Sequence, residues 1–298
     1  MAKILITGGT GFIGTELTKA LKKNHEVVAV GRDIKNIKNP VSGVKYVECD
    51  IRNPVEVKKI VGGMDYVYHL AALLDESLHK NLLFDVNAEG TLNVLEACVR
   101  NGVQKVVYAS SFYVYDGLPN NITVDEKSRS TIFNAEMFGV VKLMGERLIE
   151  EYNRKFGLNY VILRYGPVYG PHERCSCVIY EFIKEGLKGN PIVIWGRGKR
   201  KNQYTYVNDI VDGSVKALNI SDETFNLISP ERLSIREIAQ LLHEKYGFKV
   251  TFDTEKPEGP SMPYISPEKA IKRLGWKPLT LKEGIDRTIK ALQDLQPH

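Results

Sequence analysis

The chain carries, close to its first residues, the glycine-rich stretch Thr7-Gly8-Gly9-Thr10-Gly11-Phe12-Ile13-Gly14. An apolar run precedes it and a helical pattern follows, which is the context of a dinucleotide-binding turn. The three spaced glycines permit a tight turn, close approach of a pyrophosphate and close packing of helix on strand. Free N–H groups at the start of the helix then face the phosphates. The stretch therefore predicts a dinucleotide site formed by Gly8, Gly11, Phe12, Ile13 and Gly14.

Short apolar runs alternate with amphipathic segments along the first half of the chain. Their near-continuous apolar character is typical of strands that are covered on both faces. The predicted strands are residues 3–7, 27–30, 44–49, 66–70, 105–110 and 160–164. Repeated alternation of strands and helices predicts an α/β fold with a doubly wound parallel sheet and right-handed crossovers.

The alternation weakens after about residue 170. Ser234 with Glu237 and Thr280 with Glu283 form capping boxes that predict the starts of two helices. Helices are also predicted at 177–187 and 209–218, and strands at 192–195 and 204–207. We expect residues 1–170 to form the dinucleotide-binding domain. Residues 171–298 are expected to form mainly a smaller α/β substrate domain, with some elements returning to the first sheet.

Composition excludes several classes of protein. The 298 residues are 43% hydrophobic and 26% charged, without long blocks of one sign. The formal charge of +5 is weak support for nucleic acid, and no nucleic-acid-binding motif accompanies it. No apolar run approaches the roughly 20 residues that span a bilayer, and four cysteines are too few for a disulfide scaffold. We expect a cytoplasmic protein without nucleic-acid or membrane partners.

The end of the second strand bears on the choice of cofactor. It reads Val30-Gly31-Arg32-Asp33, where an acidic residue would bind the adenosine ribose and repel a 2′-phosphate. Gly31 leaves space and Arg32 offers a cation, so NADP is favoured over NAD. Asp33 reaching the ribose, with Arg32 on the surface, is the alternative. After the third strand, Asp50 and Ile51 are placed to meet the adenine, or Asp50 caps the following turn.

Further motifs give the chain a family resemblance. They are TGGTGFIG at 7–14, Asp50-Ile51, His69-Leu70-Ala71-Ala72, Asn87 with Gly90-Thr91, the run 109–115, the run 163–171, the run 204–210, and the pair 274–278 and 281–285. In this order they resemble the extended short-chain dehydrogenase/reductases, and more narrowly the NAD-dependent epimerase/dehydratase family that acts on nucleotide sugars. The resemblance implies a Rossmann domain and a 4-epimerase like that of UDP-glucose, with the cofactor also contacting Leu70, Ala71, Ala72, Asn87, Ser110, Lys142, Tyr165 and Val168. It further implies a homodimer formed through two long helices.

The resemblance also implies the catalytic residues. In the family a Ser or Thr follows the fifth strand, and a Tyr-x-x-x-Lys pair lies on the next long helix. Residues four apart share one helix face, so the lysine lowers the pKa of the tyrosine, which exchanges a proton with the substrate. Ser111 and Lys142 match the serine and the lysine, but Phe138 occupies the tyrosine position.

Phenylalanine neither donates nor accepts a proton, and three explanations stay open. The first is that Phe138 is a deliberate substitution that traps a ligand complex. The second is that another group, such as Tyr113, Cys175 or Cys177, transfers the proton in its place. The third is a relative that binds a dinucleotide without ordinary turnover.

The substrate side departs from the family as well. Pro167 stands where an asparagine usually contacts the phosphates, and Asn202 stands where an arginine usually clamps them. Arg200 or Lys201 is placed to compensate, and Lys256 occupies another phosphate-binding position. With Ser111 and Tyr113, these residues form the predicted substrate site.

No metal site is predicted. Cys175 and Cys177 are separated by one residue and lack convincing partners beyond His172, so we expect them to pack in the interior, with a redox or substrate-contact role as the alternative. His69 is expected to be structural.

The leading hypothesis is an NAD(P)-dependent nucleotide-sugar 4-epimerase, with a UDP-sugar as substrate. The alternatives are an NADP-dependent carbonyl reductase and a non-catalytic dinucleotide-binding protein.

Overall fold

A seven-stranded parallel sheet organises the molecule. The computed structural model describes residues 1–38, 40–74, 80–128 and 136–294. The sheet strands are β1 (Lys3–Thr7), β2 (Glu26–Gly31), β3 (Lys45–Glu48), β4 (Tyr66–His69), β5 (Lys105–Ser111), β7 (Asn159–Tyr165) and β12 (Glu223–Leu227). Their spatial order is β12-β7-β5-β4-β1-β2-β3. From β1 the chain adds β2 and β3 on one side and then returns to add β4 on the other side. Ligands bind at such a switch point, here between β1 and β4.

Helices cover both faces of this sheet. They are α1 (Phe12–Leu21), α2 (Pro54–Val61), α3 (Lys80–Phe84), α4 (Gly90–Asn101), α5 (Met137–Phe156), α6 (Val178–Leu187), α7 (Val207–Ala217), α8 (Ile235–Tyr246), α9 (Glu268–Leu274) and α10 (Leu281–Asp294). One apolar core lies between the sheet and α2, α4 and α5, and a second lies between the sheet and α1, α7 and α9. The predicted doubly wound parallel sheet is therefore confirmed.

A second set of elements lies beyond the sheet. Four pairs of short strands form there: β8 (Val168–Tyr169) with β11 (Thr205–Tyr206), β9 (Ile192–Trp195) with β14 (Val250–Asp253), β10 (Lys201–Asn202) with β13 (Leu233–Ser234), and β6 (Thr123–Val124) with β15 (Tyr264–Ile265). Helices α6, α8 and α10 share a third core with β9. Because β12 and α7 join the first layer, the later part of the chain contributes to both units, and the boundary at residue 170 stays a prediction.

Local signals in the sequence act where they were expected. Both predicted capping boxes form: Ser234 accepts from the N–H of Glu237, and Thr280 pairs in the same way with Glu283. Helix α4 is preceded directly by a π-helix at Asp85–Glu89. Among the described residues, no helix is long and apolar enough to cross a membrane.

Candidate active site

The glycine-rich turn forms a tight cradle between β1 and α1. Gly8 has a φ of +71°, and a Cβ at this position would lie 2.8 Å from the backbone nitrogen of Ala71. A Cβ on Gly14 would lie 2.1 Å from the carbonyl oxygen of Gly8, so the helix packs directly on the turn. At Gly11 the nearest atom would be the oxygen of Gly8, at 3.2 Å. Gly11 lines the cleft described below, and this space fits the approach of a pyrophosphate to the start of α1.

The end of β2 is crowded by the same turn. A Cβ on Gly31 would lie 2.4 Å from Oγ1 of Thr10, so a larger residue at 31 requires Thr10 to move. Arg32 lines the cleft. Asp33 instead caps its own turn, accepting from Nδ2 of Asn36 at 2.7 Å. The Asn36 side chain is the largest cause that lowers the pKa of Asp33.

Asp50 lies beside this corner, because the preceding residue, Cys49, donates its N–H to the carbonyl oxygen of Gly31 at 3.0 Å. Both of its oxygens accept from Arg52, with Nη2 at 2.6 Å from Oδ2, and this contact is the main cause that lowers the pKa of Asp50. Asp50 and Ile51 line the cleft, so the predicted adenine-side residues are present there.

The loop after β4 forms the next part of the cleft wall. Leu70, Ala71 and Ala72 line it. Asn87, in the π-helix, holds this loop from behind: its side chain accepts from the N–H of Leu73 at 2.8 Å and donates to the Leu73 oxygen at 2.9 Å. Asn87 therefore positions the loop.

His69 is fully enclosed below the same loop. Its ring nitrogens contact Oγ1 of Thr7 at 2.7 Å and Oγ1 of Thr91 at 3.0 Å. Burial lowers the pKa of His69 to about 3, so the imidazole is neutral at physiological pH. It joins β1, β4 and α4 by hydrogen bonds.

The predicted catalytic positions meet at the carboxyl ends of β5 and the start of α5. Lys142 is buried, and its Nζ donates to the carbonyl oxygen of Ala109 at 2.8 Å and lies 5.7 Å from the ring centroid of Phe138. Burial lowers the pKa of Lys142 to about 8. Ser111 ends β5, and its Oγ accepts from the N–H of Tyr113 at 3.3 Å.

Tyr113 is the immediate neighbour of Phe138. The two rings meet edge to face, with centroids 5.7 Å apart. Gly139 permits this contact, because a Cβ there would lie 2.4 Å from the carbonyl oxygen of Tyr113. The short helical turn Phe112–Tyr115 is thereby packed against the start of α5.

A buried ion pair supports β5 from the opposite face. Glu146, on α5, accepts from Ser110 Oγ at 2.5 Å and pairs with Arg164 of β7, whose Nη2 lies 2.7 Å from Oε2. Arg164 also donates to the Tyr115 hydroxyl at 2.7 Å. The Ser110 hydroxyl therefore forms its hydrogen bond within this network. The network joins α5 to the sheet next to Ser111.

The second half of the cleft wall comes from residues beyond β7. Tyr165, Pro167 and Val168 line it, followed by Asn202 and Arg200. The Asn202 side chain is 9% exposed, and its Oδ1 has no hydrogen-bond partner among the described residues. Nε of Arg200 is likewise buried without one. Unpaired buried polar atoms are costly, so this end of the cleft fits a polar ligand.

The two cysteines near this wall are poor proton acceptors. Burial raises the pKa of Cys175, and it raises the pKa of Cys177 to about 12. Among the described residues no cluster of three or more His, Cys, Asp or Glu could hold a metal.

One continuous cleft of about 930 Å³ joins most of the predicted residues. It is lined by Gly8, Gly11, Phe12, Ile13, Gly14, Arg32, Asp50, Ile51, Leu70, Ala71, Ala72, Ser110, Ser111, Tyr113, Phe138, Lys142, Tyr165, Pro167, Val168 and Asn202. Asp33, Asn87 and Lys256 lie outside its lining.

Lys256 instead stands over the Trp195 ring, 4.8 Å from its centroid, and 3.7 Å from Asp253. Three further residues line the cleft without having been predicted from the sequence: Arg174, Tyr204 and Asp116. Nothing local in the sequence marks Arg174, because its contact with the glycine turn depends on the fold.

The sheet order and the glycine turn place the chain in the Rossmann class of dinucleotide-binding folds. The profile of the NAD dependent epimerase/dehydratase family matches residues 4–227. An uncharacterized UDP-glucose epimerase of Bacillus subtilis is 30% identical over 316 residues, covering 98% of each chain.

Two solved structures are similar along their whole length. A UDP-glucose 4-epimerase of Thermotoga maritima, crystallised with UDP-glucose, has a TM-score of 0.90 at 26% identity, covering 98% of this chain and 99% of that one. A UDP-glucuronic acid 4-epimerase of Bacillus cereus, in complex with UDP-glucuronic acid and NAD, has a TM-score of 0.86 at 31% identity, covering 99% and 100%. The chain belongs to the NAD dependent epimerase/dehydratase family and is an enzyme of that family, as its motifs predict.

Proposed function

We propose that the protein is a nucleotide-sugar 4-epimerase that binds a nicotinamide dinucleotide and a UDP-sugar in the single cleft. The observation that carries the proposal is the continuity of this cleft, which runs from the glycine turn past Ser111 and Lys142 to Arg200. A dinucleotide on the turn and a nucleotide sugar entering from Arg200 then meet at Ser111. The similar proteins named for UDP-sugars support this choice of substrate.

We propose NADP as the preferred cofactor, although the B. cereus enzyme is in complex with NAD. Arg32 lines the cleft, whereas the Asp33 carboxylate is held by Asn36 in its own turn. The space expected beside Gly31 is instead filled by the Thr10 side chain, so the case for a 2′-phosphate depends on Arg32. The end of β2 therefore favours the 2′-phosphate of NADP over the free ribose 2′-hydroxyl of NAD.

Each residue at the centre of the cleft has a separate task. When bound, the nicotinamide supplies the capacity to accept a hydride from a sugar carbon and to return it to the other face. Ser111 and Tyr113 orient the sugar hydroxyls, and Lys142 binds the nicotinamide ribose. The proton of the reacting hydroxyl meets no phenol at position 138, so proton transfer is the step that this chain performs slowly.

Arg200 is the residue we assign to the diphosphate of the substrate. It lines the cleft, while the Lys201 side chain is exposed and lies outside the lining. A guanidinium offers a fork of donors that matches phosphate oxygens. Asn202, two residues on, presents its unpaired Oδ1 within the same wall, where it accepts a hydroxyl or N–H of the ligand.

We also propose a homodimer that uses α4 and α5. Each of these helices exposes a large apolar residue: Leu92 on α4 is 37% exposed, and Met144 on α5 is 41% exposed. Burial of such side chains favours association. Light scattering coupled to size exclusion should give twice the mass of one chain.

The experiment is a product assay with UDP-glucose, UDP-N-acetylglucosamine and UDP-glucuronic acid, each incubated with the protein and NADP or NAD and followed by NMR. The proposal expects one of them to convert slowly to its 4-epimer without net consumption of cofactor. Stoichiometric reduction of a carbonyl substrate by NADPH would indicate a reductase instead. Cofactor binding without conversion, even by Phe138→Tyr, would indicate a binding protein.

A further inference from the structure

The segment after β8 reaches back over the glycine-rich turn through three contacts. The His172 ring lies against that of Phe12, with centroids 5.3 Å apart. Glu173 forms an ion pair with Lys38 at 2.7 Å. Residues 172–174 are therefore attached to the dinucleotide-binding half of the molecule, although they follow the strand that opens the substrate wall.

Arg174 makes the third contact and reaches furthest into the cofactor site. Its Nη1 donates to the carbonyl oxygen of Thr10 at 2.8 Å, and the side chain lines the cleft. Thr10 is also the residue that crowds Gly31 at the end of β2. Arg174, through Thr10, and Arg32, next to Gly31, therefore both line the cleft near the end of β2, and in this fold that region holds the adenosine ribose.

The charges at this corner are unbalanced. Among the described residues, no carboxylate lies within salt-bridge distance of Arg32 or of Arg174. The nearby acids are engaged elsewhere: Asp33 accepts from Asn36, and Asp50 accepts from Arg52. The charge of Arg32 still acts on Asp50, and that of Arg174 acts on Asp33, but neither arginine forms an ion pair with these carboxylates in the part of the chain that the structure describes. Both guanidinium groups therefore keep donors for a negatively charged ligand.

We propose that Arg174 is a second residue for the 2′-phosphate of NADP, acting together with Arg32. The inference rests on the proposed preference for NADP. It assigns part of the recognition of the 2′-phosphate to Arg174, which lies far in sequence from Arg32 at the end of β2. Arginine suits this role because its planar fork donates two hydrogen bonds to a phosphate. Because Arg174 precedes α6 on the substrate wall, a bound 2′-phosphate also holds that wall against the glycine turn.

The test measures binding, so it does not depend on turnover. Dissociation constants for NADP, NAD, adenosine 2′,5′-bisphosphate and 5′-AMP are measured by calorimetry for the natural chain, Arg174→Gln and Arg32→Ala. Lys35→Gln is the matched control, because it removes an exposed neighbouring positive charge that does not line the cleft and does not contact residues 172–174. We expect Arg174→Gln to weaken NADP and the bisphosphate about tenfold or more, while NAD and 5′-AMP change less than about twofold.

The outcomes separate this inference from the proposed cofactor preference. Equal weakening of NADP and NAD by Arg174→Gln would overturn it, since Arg174 would then act only by holding the Thr10 carbonyl. If Arg32→Ala weakens NADP binding and Arg174→Gln does not, the role of Arg174 is overturned while the NADP preference remains. Equal affinity of the natural chain for both cofactors, and for both adenosine probes, would overturn the preference itself. The same loss of NADP affinity in Lys35→Gln would show a general charge effect and overturn the assignment.

Discussion

Restoring a phenol at position 138 should raise the rate of epimerisation by about 10² or more, the usual effect of a positioned proton-transfer group. Phe138 is 7% exposed and lines the cleft, and Lys142 Nζ lies 5.7 Å from its ring centroid. An opposite charge within about 4–6 Å favours the ionised form of an acid. The variant Phe138→Tyr therefore gains a hydroxyl that ionises below its ordinary pKa of about 10.

The assay is single-turnover and steady-state conversion of the UDP-sugar by NMR, for the natural chain and for Phe138→Tyr at several pH values. The rate of the variant should rise with pH through a midpoint below about 10, because the phenolate form accepts the proton. Tyr113→Phe in the Phe138→Tyr background should raise the KM, because Tyr113 orients the sugar hydroxyls, while the gain in kcat remains. Its midpoint should also stay unchanged.

High turnover by the natural chain, unchanged in Phe138→Tyr, would refute this reasoning. A loss in Tyr113→Phe alone would then assign the proton transfer to Tyr113. The folded state should tolerate Phe138→Tyr, since one oxygen enters a cleft rather than a closed core. Thermal unfolding should shift by no more than a surface substitution does.

Two further predictions follow from the charges. His69 has a pKa of about 3 when folded and about 6.5 when unfolded, so the unfolded chain binds one more proton between these values. Its contribution to stability should fall by about 1.4 kcal/mol per pH unit below pH 6.5, and denaturant titrations of His69→Gln should lack this component. Arg200→Gln should raise the KM for the UDP-sugar about tenfold or more with a smaller change in kcat. Lys201→Gln should change neither value, and equal KM effects in the two variants would contradict the assignment of Arg200.

Much of the first layer was predictable because its strands are buried on both faces. The apolar run at residues 3–7 coincides with β1 (Lys3–Thr7), and the other predicted runs differ from their strands by one or two residues. Strand β12 (Glu223–Leu227) was not predicted, because its sequence ETFNL carries only two large apolar residues. Its place in the sheet comes from pairing with β7, which is a long-range contact.

Local signals also missed features that depend on packing. The π-helix at Asp85–Glu89 adds a residue to a turn, which lets Asn87 bond both backbone groups of Leu73, and periodicity alone does not report it. The family resemblance placed Lys256 at a phosphate-binding position, whereas its side chain lies over Trp195. Arg174 was not predicted as a cleft residue, because its hydrogen bond to Thr10 joins residues that are 164 positions apart in the sequence.

The central claim is that a hydride leaves the sugar and returns to it within one cleft. It is tested most directly with a UDP-sugar that carries deuterium at C4, converted by Phe138→Tyr in the presence of unlabelled NADP or NAD. The account predicts that the 4-epimer retains the deuterium at C4, with none in the free reduced cofactor. Loss of the label to solvent, or its appearance in released NADPH or NADH, would contradict it.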